Sequence, residues 1–541
     1  MSVEAGGAAR RRAWRVAVVA VPAAFLLAMY VVPLGAVLWR VLRGDPAGVD
    51  GGPGLDGLGG LVAVTIGQAL ASTLLSLAVG LPCAWCHARL TIPGGRWWWS
   101  AILVPFVLPT VVIAAGVIAV AGRPGAPLGD HRGSWWLVVA AHAAVNLAVV
   151  VRTVGVAITR VDPAIEEAAR MSGRGRWRAA GLSLRAARPA VLGAAFVVFV
   201  FCLTSFGLVL LLGPSTSGIV ETEIWTRTTT WLDLRGAGAL ALGQLAVVVV
   251  ALLLHQRMVA RRLGAGPAVR VVRRPAAGVE RWWVAGVLTA EAVAVFLPLG
   301  GLLARSLRTS TGWGLDNFAA LLRSTPGSAL AVTPLRAVVG SVVVGLAAAG
   351  IAMAVGVCGS IVASGRGALA RASDLALMLP LGTSAATVGF GVLVASAVLP
   401  VDLRGSWWAI PLVEAAVATP LVVRALAPAI DEIDQRLPDA ARVLGLGAWA
   451  TTVRVRGPLL RPAVVGAAAL AFAVSLGEFG ATAFLSREDA PTVPVVIVRL
   501  LGRPGSANLG QAMALGVVLA VLAAASVAAL DRALGGRSGE F

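Results

Sequence analysis

Two stretches decide how this chain folds: EAARMSG, from Glu167 to Gly173, and DAARVLG, from Asp439 to Gly445. They lie 272 residues apart, and their surroundings keep that spacing. Trp135-Trp136 recurs as Trp407-Trp408, Val151-Arg152 as Val423-Arg424, and Cys86 as Cys358. Beyond the two stretches the spacing becomes 273, from Pro189 to Pro462 and from Phe206 to Phe479. Each copy reads as a short helix, a glycine break, and an amphipathic stretch ending at Arg-Pro-Ala. Gly173 and Gly445 permit a turn that a Cβ resists. Pro189 and Pro462 suit the first turn of the next helix. The chain is two copies of one unit, fused.

The composition names the solvent of that unit. Of 541 residues, 58% are apolar and 13% charged, and mean hydropathy is +0.87. Soluble domains carry about 25% charged residues, so neither a soluble enzyme nor a disordered chain fits. A membrane helix needs about 20 apolar residues, and twelve stretches qualify: 16–38, 61–84, 98–121, 136–158, 189–212, 236–256, 282–304, 337–363, 375–399, 407–428, 462–485 and 510–530. The first comes after Arg10, Arg11, Arg12 and Arg15 as a signal peptide does, but its apolar run is too long and shows no cleavage site. The expected fold is all-α and polytopic, with two parallel six-span repeats, the pairs of loops falling on the same side because six is even. The first repeat covers 1–256 (core 61–256, loop 160–188). A basic linker comes next at 257–281, with seven Arg, and the second repeat covers 282–541 (core 335–535, loop 430–461).

All 45 basic residues are Arg. Placing the N-terminus inside puts 31 of them on inner segments and 14 on outer ones, which is the positive-inside bias. That orientation leaves both termini cytoplasmic in a multi-pass protein of a prokaryotic inner membrane. It also accounts for the net charge of +19 without nucleic acid, and no basic-aromatic interleaving on a soluble face points to one. The absence of Lys removes a P-loop lysine and Schiff-base chemistry, so any ATP is bound by another chain. Cys83, Cys86, Cys202 and Cys358 lie in or beside apolar runs and imply no disulfide framework. The Cys83–Cys86 CxxC lacks the βαβ setting of a redox motif. His87, His131, His142 and His255 are scattered, so no metal cluster supports a membrane enzyme.

The two matched stretches carry a resemblance. EAA or DAA, a glycine four residues on, then a basic helix ending in Arg-Pro-Ala resembles the EAA loop of permease subunits of binding-protein-dependent ABC importers. The second copy, with Pro458 and Leu459-Leu460-Arg461-Pro462-Ala463, keeps the family spacing but has Asp439 for the usual Glu. The first keeps Glu167, is one residue shorter, and has Leu184-Arg185 where the family has Leu-Pro. Two such loops on one chain look like the fused permeases of the thiamine and ferric-iron importers, with the type I permease fold. Leu103 to Thr110, Phe201 to Gly207, Ser475 to Gly480 and Thr222 to Trp225 match further, the last favouring the thiamine group.

The resemblance implies partners and roles. Two copies of an ABC ATPase dock on the loops, through Glu167, Ala168, Ala169, Gly173 and Trp177 and through Asp439, Ala440, Ala441, Gly445 and Trp449. An extracytoplasmic binding protein delivers the solute. The chain has no cofactor of its own and is no enzyme; ATP and Mg belong to the partner. Ionisable groups inside spans face a partner or a cavity, and these give the candidate path. Glu414 and His142 are repeat mates, Glu478 and Ser205 likewise, with Thr204 beside Ser205; Glu291 stands alone in the seventh span. Trp97–Trp99, Trp135-Trp136, Trp282-Trp283 and Trp407-Trp408 fall at span ends, as an interfacial aromatic belt does. A secondary transporter or channel is the alternative of another class, since parallel repeats build those too.

Overall fold

Leu108-Pro109 interrupts the third apolar stretch, and the interruption shows how this chain departs from twelve straight rods. The computed structural model describes residues 18–43, 57–260, 273–323, 332–398 and 406–533, apart from 124, 217, 311 and 366. Among the described residues, nine helices are long and apolar enough to cross a membrane, and three bent pairs bring the number to twelve. Among the described residues, strand is confined to one hairpin of two-residue strands, β1 (Arg308–Thr309) with β2 (Gly312–Trp313). All twelve expected stretches carry helix, and the all-α polytopic architecture holds.

In the first half the order is α1 (Val18–Arg43), α2 (Leu58–Arg89), α3 (Trp97–Val107), α4 (Thr110–Ala121) and α5 (Trp135–Thr159). Then come α6 (Ala164–Met171), α7 (Arg176–Ala186), α8 (Arg188–Leu203), α9 (Gly207–Leu212), α10 (Val220–Thr229) and α11 (Leu234–Ala260). The second half runs α12 (Glu280–Leu307), α13 (Pro334–Ala363), α14 (Ala370–Pro380), α15 (Ala385–Val398) and α16 (Ala409–Asp431). It ends with α17 (Arg436–Val443), α18 (Thr452–Gly477), α19 (Gly480–Leu485), α20 (Val493–Leu501) and α21 (Ser506–Ala533).

Two expected spans are sharply bent, at matched places. The residue before a proline is pushed out of the helical region. Leu108 is accordingly extended (φ −66°, ψ 143°), and α3 meets α4 at 99°. In the second half α14 ends at Pro380, Thr383 is extended, and α14 meets α15 at 90°. The stretches 189–212 and 462–485 are also interrupted, at 204–206 and at 478–479. Glu478, expected inside a span, instead sits on extended backbone (ψ 116°) between α18 and α19.

The chain packs as two compact units whose members are not contiguous in sequence. One gathers 47–329 with 497–520, the other 1–46 with 330–496 and 521–538. So α1 groups with the second copy and α12 with the first. A Cβ on Gly391 would lie 3.0 Å from Pro33, and one on Gly116 only 2.3 Å from the Pro298 carbonyl oxygen. Within each unit the second and fourth spans of the repeat cross at a glycine. Gly80 faces Val150, and Gly356 faces Val422, the repeat mate of Val150, with less than 3 Å for a Cβ in both places. In lipid, such close backbone approach supplies the dispersion contact that holds helices together.

Candidate functional site

The Arg-rich loops form the same small structure twice. Asp162 accepts from the Ala164 N–H at 2.9 Å, and its mate Asp434 accepts from the Arg436 N–H at 3.0 Å. These carboxylates satisfy amides at the starts of α6 and α17 and place negative charge where the helix dipole favours it. At the other end the glycines take left-handed backbone, Gly173 at φ +78° and Gly445 at φ +86°. The N–H of Gly173 bonds the Arg170 carbonyl and that of Arg174 the Ala169 carbonyl, both at 3.0 Å. Gly445 to Arg442 and Leu446 to Ala441 repeat the pair, again at 3.0 Å. This is a Schellman cap, which satisfies the last carbonyls and turns the chain sharply.

Each loop displays apolar side chains beside charges. Met171 is 90% exposed, and its mate Val443 88%, with Leu444 at 80%. Ile165 and Leu437, also mates, are exposed as well. Glu167, Ala168, Gly173, Asp439, Ala440 and Gly445 are exposed, while Ala169 and Ala441 are buried against their own unit. The two loops thus expose apolar side chains at matched positions. Asp439 pairs with Arg442 at 2.9 Å on the surface. Trp177 is half-exposed and meets Trp283 edge-on, ring centres 4.5 Å apart. Trp283 in turn meets Trp85 at 5.9 Å, so it belongs to a packed cluster as well as to a span end. The side chain of Trp449 lies outside the described residues.

Sequence reading singled out Glu167; the buried work in the first loop falls to its neighbour Glu166. Glu166 Oε1 accepts from Arg89 Nε at 3.0 Å, from Trp85 Nε1 at 3.3 Å, and from the Ser183 hydroxyl. Arg89 also donates to the Val161 carbonyl and to Ser183 Oγ, each at 3.0 Å. The linker end is tied to the same place. Arg274 and residues 89–91 exchange backbone hydrogen bonds, and Arg274 grips Glu280 through two bonds of 2.7 Å. The Glu280 carboxylate raises the Arg274 pKa above its ordinary value. The signal for Glu166 was its i,i+3 spacing to buried Ala169, which puts both on one helix face.

The intramembrane polar groups divide between the units. In the first copy, His142 Nδ1 lies 3.2 Å from Ser72 Oγ, Asn146 donates to Cys202 Sγ at 3.5 Å, and Gln68 donates to the Cys202 carbonyl at 2.8 Å. His142 Nε2, Gln68 Oε1 and Asn146 Oδ1 are buried without a hydrogen-bond partner among the described residues. Thr204 and Ser205 occupy the break after α8, and Thr204 bonds back to the Val200 carbonyl. In the second copy, Glu414 is buried with Oε2 unpartnered among the described residues, as is Ser475 Oγ. Glu478 Oε1 accepts from the Ala481 N–H at 3.0 Å. Glu291 is not alone: it pairs with His87. Among the described residues, no group of His, Cys, Asp and Glu is placed to hold a metal ion.

The chain matches no protein-family model. It is 27% identical over 529 residues, 94% of each chain, to the thiamine transport system permease protein ThiP of Brucella abortus (strain 2308). It is 28% identical over 266 residues to the 2-aminoethylphosphonate transport system permease protein PhnV of Salmonella paratyphi A. That match covers 94% of PhnV but 48% of this chain, as a one-copy relative of a two-copy chain would. A 103-residue segment is 40% identical to the molybdenum transport system permease protein ModB of Escherichia coli K12, spanning less than half of ModB (45%) and 18% of this chain. The resemblance carried by the two loops therefore extends through the chain, which is similar over nearly its whole length to the fused ABC-importer permeases of the thiamine group.

Proposed function

We propose that this chain is the permease subunit of an ABC importer. It passes a small solute, delivered by an extracytoplasmic binding protein, into the cytoplasm while separate subunits hydrolyse ATP. The observation that carries this reading is the pair of loops. Each is a capped helix, a left-handed glycine and an apolar display, built twice at matched positions. Two equal displays on one chain suit two copies of one ATPase. A chain without Lys has no P-loop of its own, so the nucleotide sits in those copies.

The excess of Arg on the loop side supports a cytoplasmic position for the loops and both termini, with the chain in a prokaryotic inner membrane. Docked ATPases drive the switch between inward-open and outward-open states only by binding those states differently. The docking residues are Glu167, Ala168, Gly173 and Trp177 on one loop and Asp439, Ala440, Gly445 and Trp449 on the other, while the expected Ala169 and Ala441 are buried and support the face from beneath. Met171, Val443 and Leu444 join them on the strength of their exposure.

Thiamine is the solute we favour, because a relative named for thiamine transport aligns along 94% of the chain. Glu414 and Glu478 supply carboxylates for a cation, with Ser205, Thr204 and His142 at the matching places in the first copy. Ferric iron suits the same carboxylates and is the second reading. The test is binding-protein-stimulated ATPase activity in proteoliposomes, comparing thiamine, iron(III) and molybdate with their binding proteins. Stimulation by thiamine alone supports the first reading; stimulation by iron alone supports the second. Failure of any ATPase to co-purify with the tagged chain would favour a secondary transporter or channel.

A further inference from the structure

The two loops are attached to their spans in different ways. In the second copy the helix after the glycine runs on from the turn Ala448–Thr451 through α18 to Gly477 without a break. In the first copy that helix is broken: α7 meets α8 at 72° around Ala187. A bent joint transmits a push poorly, so the first loop needs another connection to the membrane core.

Arg89 supplies it. It sits at the end of α2, 5% exposed, and reaches three other segments at once: the Val161 carbonyl before α6, Glu166 on α6, and Ser183 on α7. Trp85, one turn earlier on α2, donates to the same carboxylate. In the second copy Val357, Ile361 and Pro438 stand where the first has Trp85, Arg89 and Glu166. None of these can form the bonds.

We propose that Arg89 and Glu166 are a positioning pair that couples the first loop to the second span, a task the second loop performs without them. The proposal rests on reading the loops as ATPase-docking elements. Neither residue touches nucleotide or solute; both act by fixing α6 and α7 under α2. With side chains only 5% and 12% exposed, this charge-assisted bond is screened less than an exposed pair is.

The test uses the full chain assembled with its ATPase subunit and binding protein in proteoliposomes. The readout is solute transported per ATP hydrolysed, with ATPase co-purification and a thermal melt recorded for each variant. Arg89→Gln and Glu166→Gln should each lower that ratio about tenfold while the ATPase still co-purifies. Glu166→Asp should recover part of the loss. Asp489→Asn, at an exposed pair with Arg487, should leave the ratio unchanged. An unchanged ratio in folded Glu166→Gln and Arg89→Gln overturns the proposal. If both fail to fold, Ser183→Ala decides: it keeps the ion pair and removes the bridge, so a threefold loss supports the clamp and an unchanged ratio overturns it. Absence of the ATPase from the unaltered chain would instead overturn the docking reading.

Discussion

His87 Nε2 lies 3.1 Å from both carboxylate oxygens of Glu291, and the pair joins α2 to α12 within one compact unit. The two side chains are 4% and 0% exposed. Removing one member leaves the other buried and unsatisfied, at a cost of about 1–3 kcal/mol, whereas replacing both by apolar groups of similar shape is close to neutral. Glu291→Leu should therefore lower the melting temperature of the purified chain markedly. His87→Phe with Glu291→Leu should restore most of it. A double variant no more stable than the single one would show that the pair is not coupled.

That pair also marks the limit of what the sequence discloses. Periodicity and apolar run length located twelve helical stretches, nine of them long single helices among the described residues, because a bilayer demands about 20 apolar residues wherever it is crossed. The repeat located both loops, and local chemistry placed the left-handed glycines. Glu291, in contrast, had no legible partner: His87 is 204 residues away, and nothing local in either span specifies that they meet. The breaks at Glu478 and Ser205 were hidden for a related reason. Hydropathy averages across two or three extended residues, so a broken span and a straight one read alike. Glu166 was passed over because the motif drew attention to Glu167, one residue away and on the exposed face.

The Schellman caps make a prediction about the loops themselves. A side chain with a Cβ in left-handed backbone costs roughly 1–2 kcal/mol, and a β-branched one resists it most. Gly173→Val and Gly445→Val together should distort both turns (φ +78° and +86°) while leaving the spans folded. Solute uptake should fall by more than tenfold, with ATP binding to the partner subunit retained. Uptake at the unaltered rate in the double variant would remove the coupling role of these glycines.

The carboxylate at the break predicts a different phenotype. Glu478 is held by a backbone N–H at the start of α19, and a glutamine there keeps that bond while removing the charge. If the charge stabilises a cation in transit, Glu478→Gln should lower the uptake rate about tenfold, which is ~1.4 kcal/mol of lost stabilisation. ATPase docking and thermal stability should be unchanged. Kinetics identical to those of the unaltered chain would place Glu478 off the path.

The change of repeat spacing from 272 to 273 coincides with a π-helical turn in the second copy, and a deletion tests whether that turn carries the extra residue. It falls between Gly445 and Pro462, and there the backbone forms a π-helical turn, Thr452–Arg456. Such a turn is how an α-helix absorbs one extra residue without rotating the rest of the helix. Deleting Val453 should convert the π turn to α-helix and leave α18 facing the same way, with expression and uptake within about twofold of normal. Deleting Ala469, in the regular part of α18, should rotate every later residue of the helix by about 100°. That places Ser475 and the Glu478 break on the wrong side of the helix, so this variant should be lost from the membrane fraction. Equal tolerance of both deletions, read by detergent extraction and size-exclusion profile, would show that the π turn does not carry the extra residue.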